Sequence, residues 1–283
     1  MENNNLVLLT VALLPAIALC IYIFKKDRVE REPLGLLAIL LVCGVLICFP
    51  AVEIEKIMQG LIDENIAETV FYEGQEFFVS ENAYFDYVFW IAFVGVALVE
   101  EALKWIAMVL VTRKNKNFNC LFDGIVYAVF VSRGFAAYEN ILYVFSYGWD
   151  TAVMRMLTAV PAHTFFAIFM GYYYSSWHLH DVAKQQEKRL VDNGVISKPK
   201  RWISGTRFMV LSILIPTVVH GFYDYCCMRG DDAGMQMFYI FLIFLYIYCF
   251  RKVSKQSKAD ASDTYLASNI ILKKYPQLRK DAE

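Results

Sequence analysis

The chemistry-bearing residues of this chain sit where apolar sequence is densest. Glu100, Glu101 and Lys104 interrupt an apolar run that extends from about residue 87 to residue 111. A charge at the middle of such a run costs at least ~2.5–3.5 kcal/mol to bury in lipid, so it marks function by default. On a helix Lys104 lies i,i+4 from Glu100 and i,i+3 from Glu101, within reach of both. One ammonium does not neutralise two carboxylates, so the second glutamate needs another partner or a proton. Three further runs carry Glu139, His163, and the i,i+4 pair His220 and Asp224. Buried carboxylates beside histidines can activate water as general acids and bases. Histidine can donate to the oxyanion formed when water attacks a carbonyl, and an aspartate can fix its tautomer. The same residue types, Glu139, His163 and His220, can also hold a divalent metal such as zinc with an open position.

The elements that must position these groups are membrane helices. The chain has 283 residues, 58% hydrophobic and only 19% charged, with several apolar runs near the length a bilayer requires. The expected fold is all-α, a polytopic bundle of about seven spans near residues 5–24, 33–52, 84–111, 122–147, 153–177, 208–227 and 235–250. Residues 53–82 hold eight acidic side chains and one lysine, too many charges to insert. Of the 27 Lys and Arg residues, 22 fall within 25–32, 113–117, 178–207 and 251–283. These are alternate connections, which places the N-terminus outside and the C-terminus in the cytoplasm. Three regions follow: 1–83 with two helices and an acidic extracytoplasmic loop, a catalytic core over 84–250, and a cytoplasmic tail over 251–283. The tail has one amphipathic stretch near residues 265–272. The seven cysteines show no metal-ligand spacing and read as buried thiols.

Depth then brings the polar residues together. At ~1.5 Å rise per residue, Glu100 falls at the middle of the third span and Glu139 roughly 7 Å outward of the middle of the fourth. His163 and His220 lie near the middle of theirs, with Asp224 one turn further out. Gly134, Ala136 and Ala137 let a neighbouring backbone approach. Pro161 and Pro216 free backbone carbonyls beside the histidines. Arg133 and Arg155 read as structural counter-ions. No HExxH, GxSxG or paired-aspartate membrane motif occurs. A proton-coupled transporter would also place carboxylates at mid-depth, but no internal repeat is visible. A catalytically silent scaffold with a polar helix-packing network is the other alternative. No nucleic acid is expected as a partner.

With these residues in view, the chain resembles the PrsW family of intramembrane proteases, distantly related to the type II CAAX prenyl proteases. Glu100-Glu101-x-x-Lys104 is similar to that family's EExxK motif. Phe135-x-x-x-Glu139-Asn140 resembles its FxxxE(N) motif, preceded by the similar context Asp123-Gly124-x-x-Tyr127. Arg155 and His163 with Gly171 resemble the third region, and His220-x-x-x-Asp224 the fourth. The likeness covers about residues 84–230, in order and on separate spans. It implies a multi-pass protein of the cell membrane, the inner membrane of a bacterium. Its activity would be endoproteolysis of a membrane-anchored protein, such as an anti-sigma factor cut on its extracytoplasmic side. On this reading Glu100 or Glu101 is the base, Lys104 orients the pair, and Glu139 and His163 complete the water site or hold a metal. His220, set by Asp224, stabilises the oxyanion, while Phe135, Asn140 and Arg155 support the site.

Overall fold

The computed structural model describes residues 2–28, 30–72, 75–200, 205–260 and 267–279. Its elements in chain order are α1 (Glu2–Lys26), α2 (Leu34–Leu46), α3 (Cys48–Asn65), the strands β1 (Thr69–Tyr72) and β2 (Gln75–Phe78), and α4 (Glu81–Trp90). A π-helical segment (Ile91–Ala97) leads into α5 (Leu98–Thr112). Then come α6 (Leu121–Tyr147), α7 (Trp149–Leu157), α8 (Ala159–Asp192), α9 (Thr206–Arg229), α10 (Asp232–Asp260) and α11 (Ala267–Lys274). The expected all-α membrane bundle is what forms. Among the described residues six helical units are long and apolar enough to cross a bilayer: 7–26, 34–65, 121–147, 149–192, 206–229 and 232–260. The expected span over 84–111 is helical throughout, but the π-helical segment divides it into three pieces.

Several boundaries differ from the sequence reading, each for a physical reason. The acidic stretch 53–82 does not begin as a loop, because α3 carries the second apolar helix on to Asn65 before the β1–β2 hairpin. Between α2 and α3 the helix is interrupted at Ile47, next to where Pro50 cannot donate to the carbonyl of Leu46. The basic segment after residue 177 is helical to Asp192, since a polar helix can outrun the membrane. In the same way α10 reaches Asp260. The amphipathic stretch of the tail forms α11, and its residues 265–266 lie outside the described residues. Tyr275, just beyond α11, is buried beside Leu179 and Ala183 of α8 and hydrogen-bonds the buried Glu187.

The central element is α6, buried continuously from Leu121 to Ala136 among α1, α2, α5 and α8. Two glycine contacts set how closely its neighbours approach. A Cβ on Gly134 would stand 2.0 Å from the Leu41 carbonyl oxygen, and one on Gly44 would stand 2.0 Å from that of Val131. On the other side a Cβ on Gly171 of α8 would meet the Gly124 carbonyl oxygen at 2.2 Å. Across the α7–α8 bend, Pro161 frees the carbonyl of Leu157, and the Tyr246 hydroxyl donates to it at 2.8 Å. Ser132 Oγ donates to the His163 carbonyl at 2.8 Å and Arg133 Nη1 to that of Val160 at 2.5 Å, which fixes α8 on α6. Arg133 is thus a carbonyl donor rather than the counter-ion its charge suggested.

At the end of the bundle that carries the N-terminus of α6, four carboxylates are buried: Asp27, Glu32, Asp123 and Asp260. Asp123 accepts from the amides of Asn119 and Cys120, and Asp260 accepts from that of Phe122 at 2.6 Å. Two carboxylates therefore answer the unpaired amides and positive dipole at the start of α6. Asp27 accepts from the Glu32 amide at 3.2 Å in the α1–α2 connection. Burial, with Asp123 nearby, pushes the Glu32 carboxyl up to about 8, and burial likewise pushes Asp27 up to about 6.

Two outcomes are expected. Gly134→Ala should lower unfolding stability by about 1–3 kcal/mol, because its methyl meets rigid backbone. Gly60→Ala, with nothing within 4 Å of the added atom, should not lower it. Thermal unfolding in detergent compares the two. Because folding raises the carboxyl pKa of Glu32, the folded state holds that proton more tightly than the unfolded chain. Stability should therefore fall as pH rises from the ordinary carboxylate range through about 8. Glu32→Gln should flatten that slope in melts taken across the same pH range.

Candidate active site

The residues that the sequence placed at one depth also share one azimuth. Lys104 Nζ lies 2.7 Å from Glu100 Oε2, 2.8 Å from Glu101 Oε1 and 3.3 Å from His163 Nδ1. The ring of Phe135 sits beneath the same ammonium at 4.3 Å, a cation–π contact. Glu101 Oε1 also meets His220 Nδ1 at 3.0 Å, and the other ring nitrogen of His220 is 3.2 Å from Asp224 Oδ2. His163 Nε2 is 2.9 Å from Glu139 Oε2, and Glu139 Oε1 pairs with Arg155 at 3.0 Å. The set Glu100, Glu101, Lys104, Phe135, Glu139, Arg155, His163, His220 and Asp224 is therefore one connected network drawn from α5, α6, α7, α8 and α9. Asn140 is attached from behind: its side chain accepts from Arg155 Nε at 2.9 Å and donates to the Ala12 carbonyl of α1 at 2.9 Å.

Local backbone explains how each element contributes. The π-helical segment ends three residues before Glu100 and brings Phe93 against Gly221, where a Cβ would lie 2.6 Å from the ring. That contact seats α9 so that the neighbouring His220 reaches Glu101. Phe166 stacks on the His220 ring at 4.5 Å and fixes its plane. On α5, Glu101 and Lys104 are 1% exposed and Glu100 is 5% exposed. The difference matters because a cavity of about 290 Å³ adjoins the network, and Glu100, Glu139, His163, His220 and Asp224 line it while Glu101 and Lys104 do not.

The sequence reading missed part of this cavity. Cys48, Ala51, Val52 and Glu55 of α3 form one wall, with Tyr138, Tyr143 and Met228 on others. The spacing 48, 51, 52 and 55 is a helical face and was available in the sequence. Assigning Glu55 to an acidic loop hid it.

One subset has metal-ligand geometry. Ligand atoms of Glu100, His163 and His220 lie within 4.8 Å of one another, all buried. Glu139, expected in such a set, instead pairs with His163 and Arg155. Two imidazoles and a carboxylate are a donor set known from catalytic zinc sites. The donors also suit a cation: Glu100, Glu101, Glu139 and Asp224 share two permanent cations, Lys104 and Arg155, and two imidazoles, His163 and His220. The residues present therefore fit a divalent ion.

Comparison with known proteins decides the class. The model of the PrsW family intramembrane metalloproteases matches residues 32–250. The chain belongs to this family. It is 30% identical over 256 residues to Protease PrsW of Geobacillus kaustophilus, covering 90% of this chain and 93% of that protein. To Protease PrsW of Bacillus subtilis it is 28% identical over 248 residues, 88% and 94% of the two chains. To that of Clostridioides difficile it is 28% identical over 243 residues, 84% and 87%. No solved structure matches the chain. As a PrsW-family member the protein is an intramembrane peptidase, a multi-pass membrane hydrolase with a protein substrate. The transporter and silent-scaffold alternatives give way to that assignment. The family match begins at residue 32, so it takes in α2 and α3, which the four sequence motifs did not need.

Lys104 gives the test of the network. Lys104→Met leaves Glu100 and Glu101 buried without their shared cation, and should cost about 3–5 kcal/mol of stability. Adding Glu100→Gln to that variant should recover part of the loss. Chemical denaturation in detergent of the single and double variants measures both. Equal stability of Lys104→Met and the parent would show that the ammonium does not neutralise the pair.

Proposed function

We propose that the protein cleaves a peptide bond of a membrane-anchored protein by attack of a water held in the cavity, with two glutamates in different roles. The observation that carries this is the convergence of Glu100, His163 and His220 on the wall of a cavity inside an apolar bundle. These three residues would hold a divalent ion such as zinc, which when bound supplies Lewis acidity and a water of lowered pKa. Glu139 faces the same cavity and takes the proton of the attacking water. As the carbon–nitrogen bond breaks, it passes that proton to the departing amine. Arg155 holds the carboxylate of Glu139 at 3.0 Å and keeps it aimed. Glu101, off the cavity, is a positioning residue: it ties Lys104 to His220. Asp224 sets the His220 ring from the other side. Glu139 thus takes the base role that the sequence reading offered to Glu100 or Glu101, and His220 holds rather than donates to an oxyanion.

Seven spans, with residues 81–112 as the third, and an N-terminus outside agree with the segregation of basic residues. In that orientation the cavity, lined by Tyr143 and Met228, lies toward the extracytoplasmic ends of α6 and α9. An anti-sigma-factor-like protein in the inner membrane of a bacterium, cut on its outer side, is a substrate of the right placement.

The two glutamates separate experimentally. Glu139→Gln should lose cleavage by ~10²–10⁴-fold while keeping bound metal. Glu100→Gln should lose both. N-terminal proteomics of membrane-anchored proteins reads the first, and elemental analysis of purified protein reads the second. Phenanthroline should stop cleavage, and zinc should restore it. Undiminished cleavage by Glu139→Gln would sink the assignment of the base, and cleavage by metal-stripped enzyme would sink the metal.

A further inference from the structure

The β1–β2 hairpin is the one sheet among the described residues, and the peptidase chemistry makes no use of it. Its contacts with α4 run through β2. Phe78 packs on Tyr84 at 5.3 Å and on Tyr87 at 5.1 Å. Tyr87 donates to Asp63 at 2.8 Å, and Tyr84 donates to the Met228 carbonyl at 2.7 Å. Met228 lines the catalytic cavity, so two contacts link the hairpin to its rim. The outer edge of β1 faces the other way. Register pairs Thr69 with Phe78 and Phe71 with Glu76, and the Val79 amide donates to the Glu68 carbonyl at 3.0 Å. Bonded and non-bonded pairs alternate in an antiparallel ladder. Thr69 and Phe71 therefore direct their amides and carbonyls away from β2, and among the described residues no third strand lies beside them.

An open strand edge is a template for an added strand, and proteins normally cover or blunt it. Here it is exposed and apolar: Phe71 is 77% and Tyr72 66% exposed. The segment that carries it is strongly negative. Residues 63–81 hold six acidic side chains, and no lysine or arginine occurs between Lys56 and Lys104. A peptide bond is cut in an extended chain, and an extended chain is what a strand edge selects.

We infer that the outer edge of β1 is a docking strand for an extended, positively charged segment of the membrane-anchored substrate, next to the bond that is cut. The inference rests on the peptidase reading of the cavity above. Main-chain hydrogen bonds from Thr69 and Phe71 give the affinity. Phe71 and Val70 meet alternate side chains of the segment, and the acidic surroundings select its charge.

Substitution at the edge tests this in whole cells. Phe71→Pro deletes an outward amide but no β1–β2 hydrogen bond. It should lower cleavage at least about tenfold, whereas Phe71→Val, which keeps the amide, should lose much less. Both should unfold at the parent's temperature in detergent. A photo-crosslinking residue at position 71 in the Glu139→Gln enzyme should capture the same proteins whose new N-termini disappear in that variant. The captured peptides should be basic segments flanking the membrane anchor. Equal cleavage by Phe71→Pro and the parent overturns the docking strand, and so do crosslinks to lipid alone. If the parent itself produces no N-termini beyond those of Glu139→Gln, the peptidase reading of the cavity fails, and the docking strand fails with it.

Discussion

A single buried ammonium governs the geometry of this protein. Lys104 has Glu100, Glu101 and His163 within 3.3 Å and an aromatic ring beneath it. An uncompensated charge at that depth is expensive, so each helix that supplies a partner is held to one position and one rotation. Through Glu101 the constraint passes to His220 on α9, and through His163 to Glu139 on α6 and Arg155 on α7. Its carboxylates outnumber its permanent cations, and with two imidazoles among them the network is suited to bind a cation rather than merely to glue helices together.

Rigid packing on α6 makes such a network tolerable. Gly44 against Gly134 and Gly124 against Gly171 bring backbones so close that there is little room for the helices to slide. The deviations from regular helix sit next to the site. The π-helical segment precedes Glu100, the bend at Thr158 precedes His163, and Pro216 lies one turn before His220. Each frees or redirects backbone groups that an unbroken helix would have consumed, and π-helical turns recur at functional sites for the same reason.

What the sequence disclosed was depth, and what it withheld was rotation. Counting residues along each apolar run was enough to bring Glu100, Glu139, His163 and His220 to one level. Which of Glu100 and Glu101 faces the cavity depends on the extra residue per turn in Ile91–Ala97, and no residue type there announces it. Rotation also decides that Glu139, at the right depth, is shared between Arg155 and His163, while Glu100 lies within 4.8 Å of ring nitrogens of both histidines. Charge counting also misplaced two boundaries. The glutamates of α3 and the lysines of α8 continue helices that apolar spans began, because a helix needs apolar residues only where lipid surrounds it. Glu55 went unseen as a cavity residue through that error alone.

The placement of α3 bears on how a water-using site persists within lipid. Its Cys48, Ala51, Val52 and Glu55 line the cavity, and Cys48 Sγ reaches the Phe135 carbonyl at 3.6 Å. Glu55 adds another carboxylate to a wall that already holds Glu100, Glu139 and Asp224. Carboxyl oxygens in a narrow cavity hold water and cations and disfavour lipid chains, since a polar group against hydrocarbon loses its hydration without return. The helix that seemed a mere anchor in the sequence therefore helps to keep the cavity wet, and a wet cavity is the condition under which any hydrolysis at this depth proceeds.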